Sequence, residues 1–163
     1  MLLNAAVTPP ADRERLWRSL VTTHPDTPVA GVTFRDVLPI LRDPAGLASV
    51  VAALADATAA AATAAGTPPA DLLAGIEARG FPLATAAAAA TGAGFLAIRK
   101  AGKTPGAVVS AAFASEYGEG VLEVAAGALV GVAVLAELIG LGGRERLRTE
   151  TGLEVVALMT YDA

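Results

Sequence analysis

Three of the twelve cations of this chain lie close together in the stretch between Phe95 and Gly120. An apolar run, Phe95 to Ile98, leads into a loop that carries three cations together with glycine and proline. These loop residues are Arg99, Lys100, Gly102, Lys103, Pro105 and Gly106. Cations that follow a buried strand and enter a long loop are suited to binding a polyanion and closing over it. The alternative is a solvated strand end with a mobile loop, because charge at strand ends is ordinary.

A second charged group follows the apolar run Leu72–Ile76. Glu77 and Arg79 lie in the turn that leaves this run, and a helix predicted for residues 81–91 connects it to the strand at Phe95. Such a strand–helix–strand unit predicts a parallel sheet covered by helices. Ligands bind at the carboxyl ends of parallel strands, so the cations of both turns predict a phosphate or pyrophosphate site at one sheet edge.

Phe34 and Arg35 form a third group of interest, in a segment rich in proline and glycine. An aromatic ring beside a guanidinium can stack on a flat heterocycle and hydrogen-bond to it, whereas the alternative is that Phe34 is a core residue. The same segment begins at His24, which we interpret as an exposed loop residue, with a ligand role as the minor alternative.

Composition narrows the classes of function. The 163 residues include 12 lysines and arginines against 16 aspartates and glutamates, one histidine and no cysteine. One domain is expected, and an acidic chain without a basic tract is a poor candidate for nucleic-acid binding. Thiolate chemistry is excluded, and a histidine-based metal cage or catalytic triad is not expected.

The mean hydropathy of +0.56 suggests a membrane protein, but the apolar runs do not support one. The uncharged run between Arg79 and Arg99 is mostly alanine, glycine and threonine, and residues 124–136 are too few to span a bilayer. No signal peptide is visible at the N-terminus. We therefore expect a cytoplasmic protein without membrane segments.

The remaining elements are expected as follows. Residues 11–21 form an amphipathic helix, and Asp43 caps a long alanine-rich helix that ends near Ala65. Strands are expected at residues 107–113, 120–124, 130–138 and 153–161. Gly142 and Gly143 make a turn into a short helix, with an anion-binding nest as the alternative.

Five segments, taken in order, resemble the adenine phosphoribosyltransferase family. They are Gly31-Val-Thr-Phe-Arg-Asp36, Gly75-Ile-Glu-Ala-Arg-Gly-Phe81, Ile98-Arg-Lys-Ala-Gly-Lys-Thr-Pro-Gly106, Ser115-Glu-Tyr-Gly118 and Glu137-Leu-Ile-Gly-Leu-Gly-Gly-Arg-Glu-Arg-Leu147. The resemblance implies a type I phosphoribosyltransferase: a single α/β domain over residues 1–163, with a parallel sheet flanked by helices and a small hood at about residues 22–40. It also implies a homodimer that converts adenine and 5-phosphoribosyl-1-pyrophosphate (PRPP), with Mg²⁺ bound through the substrate, into AMP and pyrophosphate.

The same resemblance implies roles for individual residues. Thr33, Phe34 and Arg35 match the adenine pocket, and Glu116 and Tyr117 match the mobile loop over the reacting centre, where the glutamate manages the proton on the base. The residues that match pyrophosphate contacts are Arg79, Arg99, Lys100 and Lys103.

One family motif has no counterpart in this chain. The family has an apolar strand that ends in two adjacent acids, followed by a small loop around the 5′-phosphate, but here no two acidic residues are adjacent. Residues 123–129 pass directly into residues 130–137, so the chain is interpreted as short of one central strand–helix unit of about thirty residues.

Three explanations of this shortening remain open. The chain is a transferase of the adenine-salvage type, or it is a non-catalytic relative that acts as a purine- or anion-binding or dimerisation module. The third explanation is that the shortening is an artefact of the gene sequence. Loss of the ribose-phosphate anchor favours a weak enzyme over an efficient one, because positioning errors lower the rate steeply.

Overall fold

The computed structural model describes residues 10–115, 118–125, 132–138, 142–151 and 155–162. The helices of these residues are α1 (Ala11–Leu20), α2 (Leu38–Arg42), α3 (Pro44–Ala65), α4 (Gly80–Thr91) and α5 (Gly143–Thr151). The strands are β1 (Thr22–His24), β2 (Phe34–Asp36), β3 (Leu72–Ile76), β4 (Gly94–Lys100), β5 (Val108–Ser115), β6 (Gly118–Ala125), β7 (Val132–Leu138) and β8 (Val155–Tyr161). The chain divides into two compact units, Met1–Ala57 with Val132–Ala163, and Thr58–Gly131. The single-domain organisation stays a prediction.

The unit Thr58–Gly131 contains a four-stranded sheet in the order β3-β4-β6-β5. β3 and β4 are parallel, from Leu72 opposite Gly94 to Ile76 opposite Ile98, which confirms the predicted strand–helix–strand unit. β6, however, is antiparallel to both β4 and β5. The expectation of a parallel sheet was therefore wrong for these strands. Only two residues separate β5 from β6, which suffices for a hairpin but not for a parallel crossover.

Two glycines bring α4 close to β3. A Cβ atom at Gly75 would lie 2.5 Å from the carbonyl oxygen of Gly80, so the first turn of α4 requires a residue without a side chain at position 75. Phe81 of α4 and Phe95 of β4 pack edge to face, with ring centroids 5.6 Å apart. The glycines of the Gly75–Phe81 segment thus fix the turn that carries Glu77 and Arg79.

One edge of β4 is only partly paired. β4 pairs with β6 through Ile98, Arg99 and Lys100, while residues 94–97 have a strand partner on the β3 side alone among the described residues. This is the arrangement expected when a neighbouring strand is missing. The junction where the sequence predicts the shortening, residues 126–131, lies outside the described residues.

The other unit is built around α1 and α3. Trp17 of α1 is fully buried, and its indole N–H donates to Ser49 Oγ at 2.5 Å. The Asp43 carboxylate accepts the Gly46 N–H at 2.6 Å, which confirms the predicted helix cap. The buried residues of α3 in this unit recur at the spacing of one helix face: Val50, Ala53, Leu54 and Ala57. In the same unit, β7 and β8 form a parallel pair.

Within the described ranges, α3 is the one helix long and apolar enough to cross a membrane. Its residues Pro44–Ala64 have a mean hydropathy of 1.6, and they differ from the two runs that the sequence suggested as candidates. One such helix is weak evidence for a membrane span, because the core helix of a soluble protein has the same length and composition. About one third of this stretch is buried in the structure, along one face of the helix (33%).

β1 and β2 form a short antiparallel pair within the predicted hood. His24 lies opposite Phe34, and Thr23 opposite Arg35. His24 is exposed as expected, but it belongs to a strand and not to a loop. The loop between the two strands contains a cis peptide bond at Thr27–Pro28.

Candidate functional site

The two charged turns predicted to share a sheet edge are in contact. Glu77 follows the last residue of β3, and its carboxylate accepts the Lys103 ammonium at 2.5 Å and the Lys100 main-chain N–H at 2.9 Å. The main-chain N–H of Glu77 donates to Ile98 at 2.8 Å. Arg79 is the residue immediately before α4, and it is exposed. The structure thus brings the turn after β3 and the loop after β4 together at one edge.

A second carboxylate, which is buried and belongs to β6, also binds the loop after β4. Glu123 of β6 is 6% exposed and lies opposite Arg99 in the strand register. It accepts the main-chain N–H groups of Gly102 at 3.0 Å, Lys103 at 2.7 Å and Thr104 at 2.6 Å. Sequence reasoning missed Glu123. The available signal is its position as a lone acid within the apolar strand residues 121–125.

Arg99 closes the same loop. Its Nη1 donates to the Lys103 carbonyl at 2.8 Å, whereas its Nε is buried without a hydrogen-bond partner in the part of the chain that the structure describes. Lys103 is therefore held at three points: its N–H by Glu123, its carbonyl by Arg99 and its ammonium by Glu77. Lys100 is exposed, with its main-chain N–H on Glu77.

Both carboxylates are held ionised by their hydrogen-bond donors. The Lys103 ammonium, followed by the Lys100 N–H, lowers the pKa of Glu77 below its ordinary value. The Gly102 N–H, followed by other main-chain donors of the loop, lowers the pKa of Glu123. The two turns carry four cations, Arg79, Arg99, Lys100 and Lys103, against these two anions, so their formal charges sum to +2. The edge therefore attracts anions even though the chain as a whole is acidic.

These residues do not form a metal cage of their own. Over the described ranges, no three metal-ligating side chains cluster together. The oxygens of Glu77 and Glu123 already accept protein donors. A divalent cation fits this edge only when the phosphate oxygens of a substrate supply its ligands.

The predicted base-binding residues lie in the other unit, on and next to β2. Thr33 is exposed, and Phe34 is half-buried with its ring centroid 6.5 Å from that of His24. Phe34 and Arg35 are adjacent on β2, so their side chains point to opposite faces of the strand, and their joint contact with one flat heterocycle stays a prediction. Whether each residue separately contacts a base stays a prediction.

Arg35 is directed toward the last strand of the chain. Its guanidinium lies 4.8 Å from the Tyr161 ring centroid and donates to the Asp162 carbonyl at 3.2 Å. Arg18 lies 5.0 Å from the same centroid and donates to the Thr160 carbonyl at 3.3 Å. An open pocket of about 350 Å³ is lined by these five residues. Two cations therefore share one aromatic ring.

Some predicted residues lie outside the described parts of the chain. Glu116 and Tyr117 are among them, so their catalytic roles stay predictions. Gly142 has φ +67°, and α5 begins at Gly143, which confirms the predicted turn into a helix.

Known proteins of one family are similar to this chain in sequence and in fold. Adenine phosphoribosyltransferase of Clavibacter sepedonicus is 44% identical over 157 residues, covering 92% of this chain and 78% of the relative. The solved adenine phosphoribosyltransferase of Giardia lamblia, complexed with 9-deazaadenine, matches with a TM-score of 0.71 and 27% identity, covering 90% of this chain and 96% of the other. No protein-family model matches the chain. The chain belongs to the adenine phosphoribosyltransferase family.

A second relative supports the inferred shortening. Adenine phosphoribosyltransferase of Clavibacter michiganensis is 39% identical over 186 residues, which cover 98% of the relative and 94% of this chain. Since 94% of 163 residues is about 153, about 33 aligned positions have no residue of this chain. That number is close to the predicted strand–helix unit of about thirty residues, whereas the 157 positions aligned with the Clavibacter sepedonicus relative exceed 92% of this chain by only about 7, so the shortening stays a prediction.

Proposed function

We propose that this chain transfers the phosphoribosyl group of PRPP to adenine, giving AMP and pyrophosphate. The observation that carries the proposal is the 44% identity to an adenine phosphoribosyltransferase over 92% of the chain. The contact between the Glu77–Arg79 turn and the loop after β4 supports it independently, because it creates a local positive charge at the end of two parallel strands.

The cations of this edge receive the diphosphate. The bond between ribose C1 and the pyrophosphate oxygen breaks as the adenine nitrogen approaches C1, and negative charge develops on the leaving oxygens. Fixed cations around those oxygens stabilise the transition state more than the ground state. Arg79, Arg99, Lys100 and Lys103 take this role. The Lys103 ammonium moves from Glu77 to the diphosphate when the substrate binds.

The other half of the reaction concerns the base. Thr33, Phe34 and Arg35 hold adenine, and Glu116 accepts the proton that the base loses, with Tyr117 beside it in the loop. Mg²⁺ bound to the phosphate oxygens of PRPP would neutralise part of the diphosphate charge, and the described part of the chain offers no cage of its own for the ion. A homodimer in the cytoplasm belongs to the same proposal, as it does in the family resemblance.

Because the acidic pair is missing, we expect weak catalysis. Without it, the ribose-5-phosphate end of PRPP lacks the anchor that the family motif provides, so the diphosphate end carries most of the binding. We expect a high KM for PRPP and a low kcat, because imprecise positioning of the reacting carbon lowers the rate.

The test is AMP formation from adenine and PRPP with Mg²⁺, measured for the wild type and for Lys103→Ala. A lost charge-assisted hydrogen bond predicts a fall of about 10- to 100-fold in kcat/KM for PRPP. Arg148→Ala is the matched control, because Arg148 pairs with Glu145 on the exposed face of α5. Equal rates for the wild type and Lys103→Ala would contradict the assigned role of the loop.

A second candidate function follows from the absent motif. A non-catalytic module that binds a purine or an anion, or dimerises with an intact paralogue, needs no ribose-phosphate anchor. Folded wild-type protein that binds adenine or pyrophosphate but forms no AMP would favour this module over the enzyme.

A further inference from the structure

The carboxylate of Glu123 takes the place of a bound anion inside the loop after β4. Three consecutive main-chain N–H groups, those of Gly102, Lys103 and Thr104, converge on its two oxygens at 2.6–3.0 Å. Successive N–H groups that point to one centre form a nest, which is a common way for a backbone to bind an anion. Gly102 has φ +83°, the left-handed conformation that lets the chain turn its N–H groups in this way.

This carboxylate is poorly placed to contact a substrate itself. Glu123 is buried, its oxygens are occupied, and its negative charge repels a phosphate. Its influence must pass through the loop that it holds. That loop contains Lys103, and the Lys103 carbonyl is held in turn by Arg99, which lies opposite Glu123 in the register.

Two carboxylates thus hold Lys103 in different ways. Glu77 binds the ammonium through an ion pair in which Lys103 is about half exposed, so an incoming anion can replace Glu77. Glu123 binds the backbone, and its contacts are buried, so they persist while the ammonium changes partner. The first contact is exchangeable and the second is permanent.

We infer that Glu123 is a positioning residue for diphosphate binding: by occupying the nest of residues 102–104 it fixes the loop so that Lys103 and Arg99 face the diphosphate. The inference deepens the proposed function, on which it rests, and adds a residue that contacts no substrate. Glutamine at position 123 is nearly isosteric but offers one acceptor oxygen and no charge to three donors, so the nest loses its anion.

The first test compares pyrophosphate binding, in the presence of Mg²⁺, by calorimetry for the wild type, Glu123→Gln and the control Glu145→Gln. Glu145 is a surface residue that pairs with Arg148. We expect the Kd for pyrophosphate to rise about tenfold or more in Glu123→Gln and to stay at the wild-type value in Glu145→Gln. Equal affinities of the wild type and Glu123→Gln, or no binding by the wild type, would overturn the inference.

Steady-state kinetics separates this inference from the proposed function. In Glu123→Gln the KM for PRPP should rise while the KM for adenine stays unchanged, because none of the residues proposed to bind the base belongs to this loop. Wild-type protein that binds pyrophosphate but forms no AMP would refute the enzyme and leave the role of Glu123 standing. If the wild type forms AMP but Glu123→Gln changes neither the pyrophosphate affinity nor the KM for PRPP, the enzyme is supported and the role of Glu123 is refuted.

A measurement on the wild type alone tests the inference even if the Glu123→Gln variant fails to fold. Amide hydrogen exchange should show slow exchange at Gly102, Lys103 and Thr104, both without ligand and with pyrophosphate, since the Glu123 contacts persist. Rapid exchange at these three amides without pyrophosphate would show that the nest is not formed, and the inference would fall.

Discussion

The loop after β4 and the hood strand β2 both present cations, but the chain holds those cations by different means. In the loop, Lys103 is held by the carboxylates of Glu77 and Glu123 and by Arg99. On β2, Arg35 lies over the ring of Tyr161 and donates to a main-chain carbonyl. One region uses anions to place its cations, and the other uses an aromatic ring.

This difference suits two different ligands. Carboxylates keep a cation oriented until a stronger anion replaces them, which fits a diphosphate that arrives and leaves. A ring and carbonyl groups hold a guanidinium without neutralising it, so Arg35 keeps its charge, which is compatible with the neutral base proposed to bind there. The comparison predicts that variants in the loop affect PRPP, whereas variants near β2 affect adenine.

The largest effect is expected from the glycine that shapes the first turn. Gly75→Ala places a Cβ 2.5 Å from the Gly80 carbonyl oxygen and 2.9 Å from Ala84 Cβ, so backbone has to move. Overpacking of this kind costs about 1–3 kcal/mol, or roughly 2–12 °C in Tm for a chain of this size. Thermal unfolding measures it.

Gly143→Ala is the matched control for that variant. Gly143 begins α5, and an alanine Cβ at this position would meet no other described atom within 4 Å. Alanine there should leave Tm unchanged or slightly raised, because alanine favours helix more than glycine does. If both alanine variants behaved alike, the close approach of α4 to β3 would not be what fixes the turn.

A smaller effect is expected near β2. Tyr161→Leu removes the ring that Arg18 and Arg35 share, at a cost of about 1–2 kcal/mol from two cation–π contacts. Chemical denaturation measures the lost stability. The KM for adenine should rise, while the KM for PRPP should not change. Tyr161→Phe keeps the ring and should resemble the wild type; a loss in Tyr161→Phe as large as in Tyr161→Leu would assign the effect to the hydroxyl.

The smallest effect concerns pH. The folded-state pKa of Glu77 is lowered from 4.5, chiefly by Lys103, so its ionised form stabilises the fold above pH 4.5, and this contribution is lost as the pH falls through the lowered pKa. The stability difference between the wild type and Glu77→Gln should be constant near neutral pH and shrink below pH 4.5. Solvent screens this ion pair, so the difference is small. A stability difference that grew on acidification would contradict a lowered pKa of Glu77.

Local sequence signals predicted much of the fold. A short apolar run followed by a charged turn predicted β3 with its observed bounds, and Asp43 before Pro44 predicted the start of α3 because a cap depends on neighbouring residues alone. The shared edge of the two charged turns followed from the rule for parallel strands. These predictions needed only short-range patterns and one topological rule.

The rest depended on contacts between distant residues. Glu123 binds amides about twenty positions earlier in the chain, and such pairing depends on the register of β4 with β6, which no local pattern reveals. The antiparallel β5–β6 pairing was missed because the residues between the two predicted strands were interpreted as a mobile loop, although β5 extends to Ser115 and β6 begins at Gly118. The three-residue strand that carries Phe34 and Arg35 was not predicted, because its segment is rich in proline and glycine.

The most direct test of the account is AMP formation measured while PRPP and adenine are varied separately, for the wild type, Lys103→Ala and Arg35→Ala. Turnover should saturate in both substrates; Lys103→Ala should lower kcat and raise the KM for PRPP but not the KM for adenine, whereas Arg35→Ala should raise the KM for adenine but not the KM for PRPP. No AMP from folded wild-type protein, or variants that move both KM values together, would contradict the division between the two regions.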